Sequence, residues 1–248
     1  MISIDLNCDM GEGMGNEEAL LPFISSANIA CGYHAGDEDE MKRVVDLCLK
    51  HGVAMGAHPS FADKDNFGRI AMPLAPRQVY ELVKEQINIL GRIIKEAGGV
   101  MEHVKPHGAL YNITAKDPLF ANAVAKAVAD ADPSLVYYGL SGSVMIDEAA
   151  KLGLQTARES FADRTYMDDG SLTPRSHPAA LIENTADALS QVLQMINDKT
   201  VRTINGKLLA LEADTICLHG DGVHAEEFVI AINNGLRKAG IQIKKIRP

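Results

Sequence analysis

The feature that most constrains this chain is an alternation: short β-prone runs recur, with longer amphipathic segments between most of them. ISIDLN (2–7), SANIAC (26–31), VAMGAH (53–58), EHVKPH (102–107), LVYYGL (135–140), LQTARE (154–159) and DTICLH (214–219) have the length and patterning of strands. Residues 37–51, 76–97, 117–131, 143–152, 179–198 and 223–239 read as amphipathic helices; in the second, Val79, Leu82, Val83, Gln86, Ile87, Leu90 and Ile94 trace one stripe. Asp37, Asp117 and Ser143 stand at N-cap positions, and Gly52 and Gly98 where helices end. Strands that alternate with helices pair in parallel, because each crossover returns the chain to the same edge direction. Seven such units predict an α/β fold, and an irregular seven-stranded (β/α) barrel more than an open sheet. VRTINGKLLALE (201–212) breaks the rhythm as a hairpin turning at Asn205-Gly206, and IQIKKI (241–246) closes or borders the sheet. With no Pro/Gly/Ser-rich linker, low-complexity tract or internal repeat, one domain is expected over 1–248.

Composition narrows the partners. Acids outnumber Lys+Arg by 33 to 24, giving a formal charge of -9 with no basic block, so the footprint needed to hold a phosphate backbone is missing. No apolar run reaches membrane-spanning length, and MISIDLNCDM lacks the features of a secretion signal, which predicts a cytoplasmic protein. Cys8, Cys31, Cys48 and Cys217 form no C-x-x-C pair and read as buried reduced thiols. The chain has no Trp and only 5% aromatic residues, which counts against stacking on sugars or bases.

In parallel α/β proteins function gathers at the carboxyl ends of the strands, so polarity there is informative. Along ISIDLNCD, Ile2, Ile4, Leu6 and Cys8 share one face, and Ser3, Asp5, Asn7 and Asp9 the other, as expected if a carboxylate-rich face lines a barrel lumen. A half-exposed edge strand is the bland alternative. Other strands end at His34, His58, His107, Glu159 and His219, each near a Gly, Pro or turn residue. One such histidine is commonly structural; a set at equivalent strand ends is hard to explain by packing, since every buried imidazole needs its own hydrogen-bond partner. Asp37 is either a helix cap or a site residue, and His51 suits a helix C-terminus. His103, His177 and His224 stay ambiguous.

VKPHGALYN (104–112) poses a sharper question. His103 and His107 have the i, i+4 spacing that on a helix would bring both rings to one metal ion, but Pro106 opposes a helix there. In a strand the same spacing separates them by roughly 13 Å, too far to share an ion. What remains on one face is His103, Lys105 and His107, an electropositive patch suited to an anionic substrate or intermediate. MGEGMGNEE (10–18) does not match G-x-G-x-x-G, although it could form a backbone anion nest; Walker and G-x-S-x-G motifs are missing. Arg69, Arg164 and Arg175 are loop arginines able to clamp a carboxylate, surface ion pairing being the default for two of the three.

Six blocks, DLNCDMGEG (5–13), SANIACGYHAGD (26–37), GAHPSF (56–61) with FGR (67–69), VKPHGALYN (104–112), ESFADRTY (159–166) and CLHGD (217–221), resemble in order those of the LamB/YcsF family. The resemblance implies an irregular seven-stranded barrel similar to that of polysaccharide deacetylases and related glycoside hydrolases. It also implies ATP-dependent opening of 5-oxo-L-proline to L-glutamate together with 5-oxoprolinase subunits B and C. ATP then enters as co-substrate through the complex: the partners activate the lactam and this chain opens the ring. SFADKDNFGRIAM (60–72) and HGDGVHAEE (219–227) depart from the family's loop patterns.

A lactam amide is resonance-stabilised, so its hydrolysis needs help at both water and carbonyl oxygen. On that reading Lys105 and His107 stabilise charge, Asp9 or His58 is the general base, and Asn7 orients the water. Asn28, His34, Arg69, Glu159, Arg164, His219 and Asp221 bind substrate or orient the first group, with Asp5 behind them. Two rivals stand beside it. One is a metal-dependent carbohydrate deacetylase-like hydrolase, with Asp9, His34 and His58 holding a divalent ion; the other is a non-catalytic subunit that binds a small acid.

Overall fold

A computed structural model describes residues 2–218 and 225–247. In chain order the elements are β1 (Ser3–Met10), α1 (Glu17–Leu20) running into a 3-10 turn (Leu21–Phe23), β2 (Ser26–Ala30), α2 (Glu38–His51), β3 (Ala54–His58) and α3 (Pro76–Glu96). They continue with β4 (Met101–Val104), α4 (Gly108–Thr114), α5 (Pro118–Ala131), β5 (Val136–Leu140), α6 (Val144–Lys151), β6 (Thr156–Phe161) and α7 (Thr185–Asn197). The last are β7 (Thr200–Arg202), β8 (Leu208–Ala210), β9 (Thr215–Leu218), α8 (Ala225–Lys238) and β10 (Gln242–Ile243).

Strands β1 to β6 pair in parallel in sequence order, β9 pairs with β6, and β9 returns to β1 with Asp5 opposite Thr215 and Cys8 opposite Leu218. The result is the expected closed seven-stranded parallel barrel ringed by helices. β10 does not close it: this strand lies outside, beside Ser3 and Ile4 of β1. β7 and β8 form the expected separate antiparallel hairpin.

The apolar core lies between the barrel wall and the helices. Leu6, Cys8 and Met10 of β1 pack there with Val44, Val45 and Cys48 of α2. On α3, Val79, Val83, Ile87, Leu90, Ile93 and Ile94 are buried, each aliphatic side chain removed from water contributing about 1.5–3 kcal/mol. Leu82, placed by periodicity on the same stripe, is only half-buried. Asp37, Asp117 and Ser143 accept hydrogen bonds from first-turn amides as N-caps, and Gly52 ends α2 in the left-handed region.

Three local expectations need correction. The helix expected from 179 begins at Thr185, because the backbone of 180–182 pairs with residues 163–165 and Asn184 supplies the cap. The strand expected to run to His107 ends at Val104, although Lys105 and His107 still donate backbone hydrogen bonds to Ala57 and Pro59, so the segment stays extended along β3. Helix α4 begins directly after it and went unread because Gly108 and the short span gave no amphipathic period.

Candidate active site at the carboxyl end of the barrel

The barrel lumen is filled by polar side chains in tiers. Deepest, Asp5 accepts from Ser25 and Ser26 (both 2.7 Å), Thr215 (2.5 Å) and Tyr138 (3.2 Å); burial raises its pKa against these bonds. Above it Asn7 donates to Thr215, and Asn28 donates to both Asn7 Oδ1 and Asp9 Oδ1 at 2.8 Å. His103 Nε2 lies 2.8 Å from Asn28 Oδ1, so this nitrogen donates, and the ring stacks on Tyr138. Gly56 on β3 makes room for that ring: a Cβ there would lie 2.2 Å from it.

The next tier is charged. Lys105 Nζ contacts Asp9 Oδ1 at 2.8 Å, Glu159 Oε1 at 3.0 Å, Cys217 Sγ at 3.1 Å and Asn7 Oδ1 at 3.2 Å. Burial works against its charge, but the carboxylates, Asp9 first and Glu159 with it, outweigh burial and hold its pKa well above the usual lysine value. Burial raises the Cys217 thiol, which stays protonated although Lys105 opposes the shift. Lys105 therefore does not present the open positive patch expected from the sequence, since two carboxylates share its charge. Tyr111 leans over this tier, its phenol held protonated by burial and by the neighbouring Glu159.

At the mouth three imidazoles meet Glu12, with Asp9 beside His58. His58 Nδ1 donates to Lys105 O (2.7 Å), and its Nε2 lies 3.3 Å from Asp9 Oδ2 and 2.9 Å from His107 Nδ1. His107 Nε2 donates to Phe67 O (2.9 Å). His34 Nδ1 meets Ser60 Oγ at 2.8 Å, its Nε2 lies 3.3 Å from Glu12 Oε1, and its ring stacks on His107 with centroids 3.9 Å apart. Burial pushes His34 down to about 3, and burial with the adjacent His34 and His58 pushes His107 well below the usual histidine value. Both are therefore neutral at pH 7, which also removes His107 from the expected positive patch.

Glu12, His34, His58 and His107 offer ligand atoms all within 4.8 Å of one another. This group differs from the expected Asp9, His34 and His58: Asp9 Oδ1 is engaged by Lys105 and Asn28, while Glu12 and His107 complete the cluster. Sequence reasoning missed Glu12; the available signal was a lone carboxylate between glycines just after β1. It also missed Ser60, whose backbone is gripped at both N–H and C=O by the buried Gln86 of α3. That grip connects the α3 stripe to the orientation of His34.

A cavity of about 630 Å³ opens over these groups, floored by Asp9, Glu12, His58, Lys105 and His107. Its walls include Arg69, Lys116, Arg164 and Arg175. Arg69 lies over the Phe67 ring, its Cζ 4.8 Å from the centroid. Arg164 is buried and donates to Thr173 O and Ala180 O, bracing the 164–180 loop. Burial, reinforced by Arg175, lowers its pKa. Asp37 and His51 belong to the ends of α2, away from this floor, and His177 is exposed. His219, Asp221 and His224 lie outside the described residues.

A closed parallel (β/α) barrel with acids, histidines and a lysine converging beneath a cavity at its carboxyl mouth has the layout of a barrel enzyme. The sequence profile of the LamB/YcsF family matches residues 4–248, and the chain belongs to that family. It is 53% identical to the 5-oxoprolinase A subunit of Geobacillus kaustophilus (strain HTA426) over 100% of this chain and 98% of that protein. It is 51% identical to the 5-oxoprolinase A subunit of Bordetella pertussis (strain Tohama I), covering 98% of each. The crystal structure of the lactam utilization protein from Thermus thermophilus superposes with a TM-score of 0.93 at 39% identity, covering 99% of this chain and 100% of that one. A family 4 carbohydrate esterase from Streptomyces lividans shares the fold at a TM-score of 0.50 and 13% identity, over 99% of this chain and 93% of that one.

Proposed function

We propose that this chain is the A-type subunit of a 5-oxoprolinase, opening the lactam of 5-oxo-L-proline to L-glutamate with ATP as co-substrate of a complex that includes B and C subunits. The observation that carries this reading is end-to-end identity of 51–53% with proteins bearing that name. The cavity supports it: a small acid fits beneath a rim bearing Arg69, Lys116 and Arg175, with the polar floor below. In this reading the partners activate the lactam with ATP and the ring opens here. Asp9 or His58, with Oδ2 and Nε2 3.3 Å apart, takes a proton from water as its oxygen adds to the lactam carbon. The ring C–N bond then breaks, the nitrogen takes up a proton, and the phosphoryl group that activation placed on the carbonyl oxygen leaves as inorganic phosphate when a second water hydrolyses the γ-glutamyl phosphate so formed. Lys105 supports negative charge near Asp9, and Arg69 is placed to clamp the substrate carboxylate. Asn7, Asn28 and Glu159 hold Lys105 and Asp9 in place, His34 supports His107, and Arg164 holds the cavity wall. The four buried thiols suit a cytoplasmic setting.

The test combines the purified chain, B and C subunits, 5-oxo-L-proline and MgATP, and measures glutamate. Glutamate is expected only with all components, and Asp9→Asn or His58→Ala should lower its rate by about 10²–10⁴-fold. Full activity in both variants would remove them from the mechanism. No glutamate from the complete mixture would overturn the reading.

A further inference from the structure

The histidines at the barrel mouth have too few hydrogens for the contacts they make. His58 commits its Nδ1 hydrogen to Lys105 O and His107 commits its Nε2 hydrogen to Phe67 O. Ser60 Oγ gives its own hydrogen to Phe61 O (2.9 Å), so it accepts from His34 Nδ1. A neutral imidazole carries one N–H, so each of the three rings turns a bare lone pair toward the others. His58 Nε2 and His107 Nδ1 are then two acceptors 2.9 Å apart, and His34 Nε2 faces the Glu12 carboxylate at 3.3 Å. One proton relieves only one of these contacts. One cation placed among the four ligands relieves both.

We propose that Glu12, His34, His58 and His107 form a binding site for a single divalent transition-metal ion of the zinc type. The separations between ligand atoms suit it. Glu12 Oε1 lies 3.3 Å from His34 Nε2, 3.5 Å from His107 Nδ1 and 4.0 Å from His58 Nε2. Ligands about 2.0–2.1 Å from a tetrahedral ion stand somewhat over 3 Å from each other. Each imidazole donates its remote N–H to a fixed oxygen, the arrangement that orients metal-ligating histidines. Three neutral nitrogens and one carboxylate favour a borderline ion over Mg²⁺ or Ca²⁺, which take oxygen ligands. The loops are built around this point: a Cβ at Gly68 would lie 2.9 Å from His34 Cβ and 3.2 Å from His107 Cδ2. With His58 Nε2 committed to the ion, Asp9, 3.3 Å away on the cavity floor, is the group left to act as base toward water.

Binding is testable on the isolated full-length chain, without partners or substrate, so its outcome is separate from that of the oxoprolinase reading. Chain stripped with chelator, reloaded with Zn²⁺ or Co²⁺ and desalted is expected to retain one ion, with Co²⁺ giving the visible bands of a low-symmetry nitrogen/oxygen site. Glu12→Gln, close in shape and on a loop, and His107→Ala should each weaken binding by about 100-fold or more, beyond what loss of an outer-shell partner costs. His177→Ala, at the surface, should bind as the parent does. Circular dichroism checks that the variants fold, and Ser60→Ala, which removes only the acceptor behind His34, should give an intermediate loss. A chain that retains no ion overturns the proposal and leaves a shared proton in the 2.9 Å contact. Retention unchanged in Glu12→Gln and His107→Ala overturns it too, because the ion then sits elsewhere.

Discussion

Lys105 is the residue on which the floor of the site depends. It reaches the lumen from the extended segment after β4 and meets carboxylates from β1 and β6. Removing one member of a buried ion group leaves uncompensated charge, which costs about 3–5 kcal/mol. Lys105→Met is therefore expected to lose that much in urea denaturation and to abolish glutamate formation in the reconstituted complex. Adding Glu159→Gln should restore part of the stability and none of the activity; a double mutant no more stable than the single one would refute the shared-charge account. The sequence made Lys105 conspicuous but misjudged its surroundings. Strand parity gives the face a side chain points to, whereas Asp9 and Glu159 become its partners only through barrel closure, since both are remote from it along the chain. Parity worked for Asp5, Asn7 and Asp9 because alternation is local, and it could not reach Glu12, which lies in a glycine turn with no period to read.

At the scale of elements, the loop between β3 and α3 is fastened onto the start of α4. Ala109 N donates to Gly68 O at 3.0 Å, and Phe67 O takes the His107 hydrogen bond. Gly108 has φ +58°, and a Cβ on it would meet Gly68 O at 2.5 Å. Gly108→Ala must then both strain its backbone and push the loop off His107. Gly142 offers the comparison, with φ +74° and no atom within 4 Å of an added Cβ. Gly142→Ala should cost only the backbone penalty of about 1–2 kcal/mol and leave activity unchanged. Gly108→Ala should lower the melting temperature further and reduce glutamate formation; equal effects from both variants would mean that the loop contact is immaterial. The loops over the site were hard to read from sequence for the same reason: 60–74 has no period, and its course is set by Gln86, 26 residues from Ser60, and by α4, which lies beyond both α3 and β4. The strands and long helices were legible because their burial patterns repeat.

For the whole molecule, the unusual property is where the polarity lies. A parallel barrel commonly fills its interior with branched apolar side chains. Here the lumen holds Asp5, Asn7, Asn28, His103, Lys105 and Glu159, all buried, and the apolar core is displaced to the layer under the helices. Folding must desolvate these groups, so stability is tied to pH, and His103 shows the sign. Burial, with Lys105 and His58 adding to it and Asp9 opposing, pushes its pKa down to about 3, against an ordinary value near ~6.5 in the unfolded chain. Below about pH 6.5 the unfolded chain takes up a proton that the folded chain refuses, so the unfolded state gains. The contribution is fully present above that pH and is lost progressively as pH falls toward 3, by at most about 1.4 kcal/mol per pH unit. His103→Gln keeps a donor for Asn28 Oδ1 without a titrating ring. Urea denaturation between about pH 7 and pH 4 should show the parent losing roughly 2–3 kcal/mol more than this variant over that interval. Parallel acid limbs in the two proteins would show that His103 is not buried neutral, and that the interior tolerates charge at this depth.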